Sequence, residues 1–321
     1  MEPVTYADIE RAAARLTGVA HHTPVLTSRQ LDERSGCTVF LKCENFQRIG
    51  AFKFRGAFNA VSRLGSEPRP VVTLSSGNHA QGVALACRIN GLAAHVVMHR
   101  PINPLKRAAV AGYGAVIHET ATRADAESKV RELVETLHAT DVHAFNDQDV
   151  VAGQGTVMKE FLETVPDLEV ALAPIGGGGL LAGTCLAGHA INPVLCLYAC
   201  EPLGALDAIH SVRENRIVPM EHPKTIAEGL RTSVGDVTLP ILRSHLAGFF
   251  TVEEGEIVAA MRFVYERMKV VIEASSAVAV APLLRREPAL IGKRVGVIIT
   301  GGNVDLSSFF ESLSNGRGVR T

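Results

Sequence analysis

At 321 residues, with 47% hydrophobic and 20% charged side chains, the chain is long enough for one large or two modest domains around a sizeable core. A formal net charge of −1 argues against nucleic-acid binding and against polybasic membrane attachment. Acids stand in the first ten residues where a signal peptide needs bases, and no apolar run approaches the ~20 residues of a spanning helix, so the expected location is cytoplasmic.

In chain order, Thr5 is placed to cap an amphipathic helix over 7–16. The segment Gly50-Ala51-Phe52-Lys53-Phe54-Arg55-Gly56 then holds one lysine among apolar and small residues. Desolvation by Phe52 and Phe54, with the charge of Arg55, would depress its proton affinity and make it a nucleophile; the competing reading is a snorkelling surface lysine. A Pro-containing stretch at 66–70 precedes a strand over 71–74, the turn Ser75-Ser76-Gly77-Asn78-His79 and a helix over 79–90 stopped by Gly91. Strand 94–99, helix 104–111, strand 115–118 and a charged helix over 124–138 complete a first unit. A second unit has strand 170–175, the run Gly176-Gly177-Gly178-Gly179, helix 180–190, strand 194–200, helices 255–268 and 274–286, and strand 295–300 leading into Thr300-Gly301-Gly302-Asn303. The alternation predicts an α/β fold with two doubly wound open-sheet domains.

Six cysteines without a CxxC pair read as reduced thiols, with Cys196 and Cys200 four apart on one strand face as core. The twelve histidines lack zinc-site spacing.

Each glycine-rich or serine-rich turn follows an apolar strand, and strand ends of that kind in open α/β sheets are where ligands bind. Four glycines before a helix let successive N–H groups surround an anion, and a phosphate fits best. The spacing lacks both the dinucleotide fingerprint and the Gly-Lys-Ser/Thr of a triphosphate loop. A phosphate cradle and a reactive lysine together are the two contacts that pyridoxal phosphate requires.

Over nearly its whole length the chain resembles the fold-type II pyridoxal-phosphate enzymes, a tryptophan synthase β-like fold, in their serine racemase and threonine (serine) dehydratase branch. The segments that carry this are Lys42-Cys43-Glu44-Asn45-Phe46-Gln47, 50–59, 75–81, Ala152-Gly153-Gln154-Gly155-Thr156, 176–183, Glu228-Gly229-Leu230 and Gly301-Gly302-Asn303-Val304-Asp305. The resemblance implies a large cofactor-binding domain of 1–66 and 148–321, with a small domain of 67–147 inserted and closing over substrate. It implies a homodimer.

The resemblance also implies roles for individual residues. Lys53 would hold the cofactor covalently and act as base at the substrate α-carbon. Phe52 would flank the ring, Asn78 would bond its 3′ oxygen, Asn146 would touch it, and Gly176, Gly177, Gly178, Gly179 and Leu180 would hold the phosphate. Thr300 would face the pyridine nitrogen, where a hydroxyl cannot force protonation as a carboxylate would; its extra methyl, against the family's usual serine or cysteine, leaves the rotamer open. Ser75, Ser76, Gly77, Asn78 and His79 would receive the substrate carboxylate, and Ser76 would be the second acid-base group of a racemase or a helix-capping serine. Glu201, Asp207 and the Ala205 carbonyl resemble a structural Mg²⁺ or Ca²⁺ loop, against a pair of solvated acids.

The expected activity is dehydration of a β-hydroxy amino acid such as L-serine or L-threonine to a 2-oxo acid and ammonia. The alternatives are serine racemase, possibly bifunctional, and a dehydratase for 3-hydroxyaspartate or another substituted serine, the latter because 120–127 departs from the racemase pattern. An amino-acid-binding regulator is the non-enzymatic reading; a sensor would not need Lys53.

Overall fold

The computed structural model describes residues 3–65 and 69–307. Of the stretch expected to mark the first domain crossing, Ser66, Glu67 and Pro68 lie outside the described residues, as do Met1 and Glu2. Among the described residues there are ten strands: β1 Val25–Leu26, β2 Thr38–Cys43, β3 Val71–Leu74, β4 Ala94–His99, β5 Val116–Thr120, β6 Thr140–Asp141, β7 Val170–Pro174, β8 Cys196–Pro202, β9 Gly248–Val252 and β10 Arg294–Ile299. They form two sheets, one ordered β1-β2-β10-β7-β8-β9 and the other β5-β4-β3-β6. All pairings are parallel except that of the edge strand β1 with β2. No helix among the described residues is long and apolar enough to cross a membrane.

Alternation along the central strands explains why both faces of each sheet are covered. Val170 and Leu172 of β7 point into one apolar cluster, while Ala171 and Ala173 point into another on the opposite face. In the smaller sheet Val97 packs on Ala126, Val130 and Leu133, and Val96 and Met98 pack on Ala80, Ala84 and Val110. A strand buried on both faces reads as a continuous apolar run, which is how β7 and β10 are recognised in the sequence.

Helix Gln148–Thr164 was not singled out as an element, yet it sets the site. A Cβ on Gly153 would lie 2.6 Å from Gly56 Cα, and one on Gly155 would lie 2.9 Å from the Gly183 carbonyl. These glycines let helices Lys53–Ser62 and Gly179–Ile191 dock directly on its backbone. The lysine-bearing helix and the helix after the glycine run are therefore fixed to one support.

Thr5 is the N-cap of helix Tyr6–Leu16 as expected, in a capping box with Asp8, to which its hydroxyl and N–H donate at 2.7 and 2.9 Å. Other local expectations change. The segment 255–268 is an α-helix Glu254–Phe263 followed by one π turn, Val264–Met268. The segment 274–286 breaks into Ala274–Ala277 and Ala281–Leu284, because Pro282 has no N–H to return to the preceding turn. Cys200 is core, whereas Cys196 is exposed at the start of β8.

Candidate active site

The carboxyl ends of β10, β7, β3 and β6 converge on the start of helix Lys53–Ser62. The Phe52 N–H donates to the Thr300 carbonyl at 3.0 Å, and Ala51 bridges to Gly301, so the lysine is tied to the end of β10. Lys53 Nζ donates to the Ala144 carbonyl at 2.8 Å and stands 5.1 Å from the centre of the Phe52 ring. Desolvation pushes its pKa down to about 8 against an opposing pull from Glu273. An amine at about 8 is neutral in roughly one molecule in ten at pH 7, far more often than an ordinary lysine.

The expected source of that shift is half right. Phe52 lies against the amine, but Phe54 is buried in the core and Arg55 turns away into its own ion network. Arg55 contributes nothing resolved to Lys53.

Two imidazoles lie near the amine. His79 Nε2 donates to the Val142 carbonyl at 2.9 Å, leaving Nδ1 as a buried lone pair without a partner. Its ring thus faces the sheet, and burial followed by repulsion from Lys53 lowers it to about 3. His143 Nδ1 accepts from the Asn146 N–H at 2.9 Å, and burial and Lys53 hold it at about 4. Both rings are neutral near pH 7.

The run Gly176–179 leaves β7 and opens helix Gly179–Ile191 with Gly178 left-handed at φ 86°. A Cβ on Gly177 would lie 2.2 Å from Cγ and Cδ1 of the Phe145 ring, and one on Gly176 would lie 2.9 Å from the Gly229 carbonyl. Glycine is therefore required here by packing as well as by ligand approach. The first N–H groups of this helix, including Leu180, have no intrahelical partner, so the end favours an anion.

Asn78 begins the helix after β3 and is held on both sides. Its Nδ2 donates to both oxygens of buried Glu273 at 2.9 and 3.1 Å, and its Oδ1 accepts from Asn303 Nδ2 at 3.0 Å. Ser75 Oγ accepts from the Gly77 N–H at 3.2 Å; Ser76 is half-buried at the same turn. Thr300 is buried, and its Oγ1 lies 2.9 Å from Ser276 Oγ, which also accepts from the Gly301 N–H at 2.8 Å. Ser276 resolves the open rotamer of Thr300. Asn146 Oδ1 accepts from the Val237 N–H at 2.8 Å, so this amide pins the 233–237 loop.

Glu273 and Ser276 were not found by sequence reasoning. The signal available was a Glu-Ala-Ser-Ser string after an apolar run, which on its face is an N-terminal helix signature.

Glu201 and Asp207 lie at the end of β8 and the start of helix Asp207–Glu214. Glu201 accepts from the Ala208 and Ile209 N–H groups at 2.8 and 3.1 Å, while Asp207 Oδ2 is buried without a partner. Burial raises them to about 8 and about 7 respectively. Ala205 is buried between them in sequence. No group of three or more His, Cys, Asp or Glu able to hold a metal occurs among the described residues.

The family model described as pyridoxal-phosphate dependent enzyme matches residues 16–301. The chain belongs to that family. It is 44% identical over 96% of its length to an L-threo-3-hydroxyaspartate ammonia-lyase of Pseudomonas sp., covering 98% of that protein. It is 41% identical over 98% of its length to a serine racemase of Dictyostelium discoideum, covering all of it (100%). Among solved structures, maize serine racemase superposes with a TM-score of 0.93 at 37% identity, covering 98% of each chain.

The residues present fit the cofactor. Lys53 supplies an amine of lowered proton affinity, the glycine-lined helix terminus supplies an anion site, and the end of β10 supplies a hydroxyl pair rather than a carboxylate. The chain is a pyridoxal-phosphate enzyme of the fold-type II group, with the two-sheet α/β architecture expected from the sequence.

Proposed function

We propose that this chain is a dehydratase converting a β-hydroxy amino acid to a 2-oxo acid and ammonia, with 3-hydroxyaspartate as its substrate. The observation that carries the reaction class is Lys53, an amine lowered to about 8 between the two sheets. The substrate choice follows the Pseudomonas relative, and β-hydroxyaspartate also names a Paracoccus denitrificans dehydratase 41% identical to this chain. L-Serine and L-threonine are the smaller members of the class.

In this reading the glycine run and Leu180 grip the phosphate, Phe52 flanks the ring, Asn78 and Asn146 contact it, and Thr300 meets the pyridine nitrogen. When bound, pyridoxal phosphate supplies electron withdrawal from the substrate α-carbon. Lys53 would hold the cofactor covalently between turnovers and would serve as the base that takes the substrate α-proton. The turn Ser75–His79 receives the carboxylate through its backbone, since the His79 ring is occupied with Val142. Loss of the β-hydroxyl as water gives an enamine that hydrolyses after release to the 2-oxo acid and ammonia. Residues 67–147 form the closing domain over a base of 1–66 and 148–321. The Lys106–Glu228 pair at 2.5 Å, one partner from each side of the cleft, supports closure that excludes water.

A second reading, racemisation, is favoured by Ser76, which is half-buried at this turn and whose hydroxyl has no hydrogen-bond partner among the described residues, so that it is available to exchange a proton. We further propose that Glu201, Asp207 and the Ala205 carbonyl hold Mg²⁺ or Ca²⁺; the unpartnered Asp207 oxygen supports this. The homodimer and the cytoplasmic location are proposed from the sequence and its family resemblance alone.

The test is a panel of L- and D-β-hydroxy amino acids assayed for 2-oxo acid and for enantiomer. We expect 2-oxo acid from L-threo-3-hydroxyaspartate in preference to L-serine, and a loss of several orders of magnitude in Lys53→Ala. Full activity of Lys53→Ala would overturn the reading. If the wild type also racemises, Ser76→Ala should stop interconversion and leave substantial dehydration.

A further inference from the structure

Glu273 is an expensive residue to keep where it is. Its carboxylate is buried, and burial raises its pKa, so the fold must gain from holding it. Its side chain meets Asn78 Nδ2 through both oxygens, across 195 residues of sequence. Its N–H donates to the Gly301 carbonyl at 3.0 Å, and a Cβ on Gly301 would lie 2.9 Å from Glu273 Oε1. The far side of the Asn78 amide is closed by Asn303, whose Nδ2 also donates to the Ile49 carbonyl at 2.6 Å.

An asparagine amide is free to turn over unless its two ends meet different partners. Here one end meets only acceptors and the other only a donor, so Nδ2 is fixed toward Glu273 and Oδ1 toward Asn303. Nδ2 has two protons; a carboxylate taking one through both oxygens leaves the other for a ligand. The same carboxylate stands beside the start of the lysine-bearing helix: a Cβ on Gly301 would lie 2.9 Å from Glu273 Oε1 and 3.1 Å from Ala51 Cβ, and its charge favours the protonated Lys53.

We infer that Glu273 is the positioning residue of this site, orienting Asn78 toward the cofactor and setting a carboxylate beside the entry to the Lys53 helix. The first half rests on the proposed contact of Asn78 with the cofactor; the second does not. Lys53 is faced by His79 and His143, both neutral above pH 5, and by Glu273. Glu273 is itself faced by Lys106, Glu228 and Tyr265.

The experiment uses Glu273→Gln, Glu273→Ala and Asn78→Ala in the full-length protein. The pH midpoint for acylation of Lys53 by acetic anhydride is read by peptide mass spectrometry after cofactor removal, and pyridoxal phosphate affinity by dialysis. Both Glu273 variants should lower the midpoint by about half a unit or more. Glu273→Gln keeps an acceptor for Asn78 and should hold affinity within about threefold, whereas Glu273→Ala should weaken it at least about tenfold. An unchanged midpoint in Glu273→Gln overturns the electrostatic half. Wild-type affinity in Glu273→Ala, with weakened affinity in Asn78→Ala, overturns the positioning half alone. Wild-type affinity in Asn78→Ala overturns the Asn78 contact and the positioning half with it. If Glu273→Ala does not fold, the midpoint in Glu273→Gln still decides the first point and a Glu273→Leu variant of similar bulk decides the second.

Discussion

Two residues after the lysine, Arg55 is wholly buried and bonds Glu44 at 2.8 Å and Glu160 at 2.6 Å, while Lys42 bonds Glu160 at 2.8 Å. The network joins β2, the lysine-bearing helix and helix Gln148–Thr164, so it fixes the base of Lys53 without touching its amine. Arg55→Ala would leave Glu44 buried and unpaired, a loss of about 3–5 kcal/mol of stability. Urea unfolding should show a lowered midpoint with an unchanged slope. Burial alone would raise Glu160, but Arg55 and Lys42 more than offset it and leave its pKa lowered. Its contribution is thus present above the ordinary glutamate range and lost as pH falls through the depressed value, so the Arg55→Ala deficit should shrink in acid.

At the scale of elements, the glycine run does two jobs that the sequence presents as one. Its repetition announces an anion site at a helix start, but Gly177 is also the seat of the Phe145 ring. Phe145 follows Ala144, whose carbonyl holds Lys53, so a side chain at 177 would disturb the cradle and the lysine together. Gly177→Ala should weaken cofactor retention at least about tenfold in dialysis and lower the melting temperature by several degrees. A variant that melts like wild type and keeps its cofactor would show that Phe145 yields freely. Strand and helix alternation was legible because buried parallel strands are apolar throughout. The break at Pro282 and the π turn after Phe263 were less so, since each continues a helical apolar pattern.

On the scale of the whole molecule, an apolar cluster joins the lysine-bearing helix, through Phe54, Ala57 and Phe58, to Val71, Val83 and Cys87 of the smaller-sheet side, and a polar pair adds to it. Lys106 of the smaller-sheet side reaches Glu228, whose turn packs on the glycine run through Gly229. The proposed cation loop follows β8, and Asp207 meets the Val234 backbone of the loop that Asn146 pins, so its occupation should act on stability. EDTA should lower the melting temperature, and millimolar Mg²⁺ or Ca²⁺ should restore it by mass action. A Glu201→Gln, Asp207→Asn double variant should be insensitive to both. Identical melting curves for the wild type in EDTA and Mg²⁺ would instead leave Glu201 as a cap on the helix that follows it.

The sequence by itself determined the fold class, and it is the source of the proposed roles of Lys53, the glycine run and the Ser75–His79 turn. Each is a local string whose chemistry or periodicity is complete within about ten residues. The tertiary structure alone decided that Arg55 faces away from Lys53, that the His79 ring is spent on Val142, that Ser276 sets the Thr300 hydroxyl, and that Glu273 holds Asn78. Those pairings join separate strands and helices of the two sheets. Local patterning states which face a side chain takes, but a hydrogen bond between residues 195 apart exists only once the chain has been folded around it.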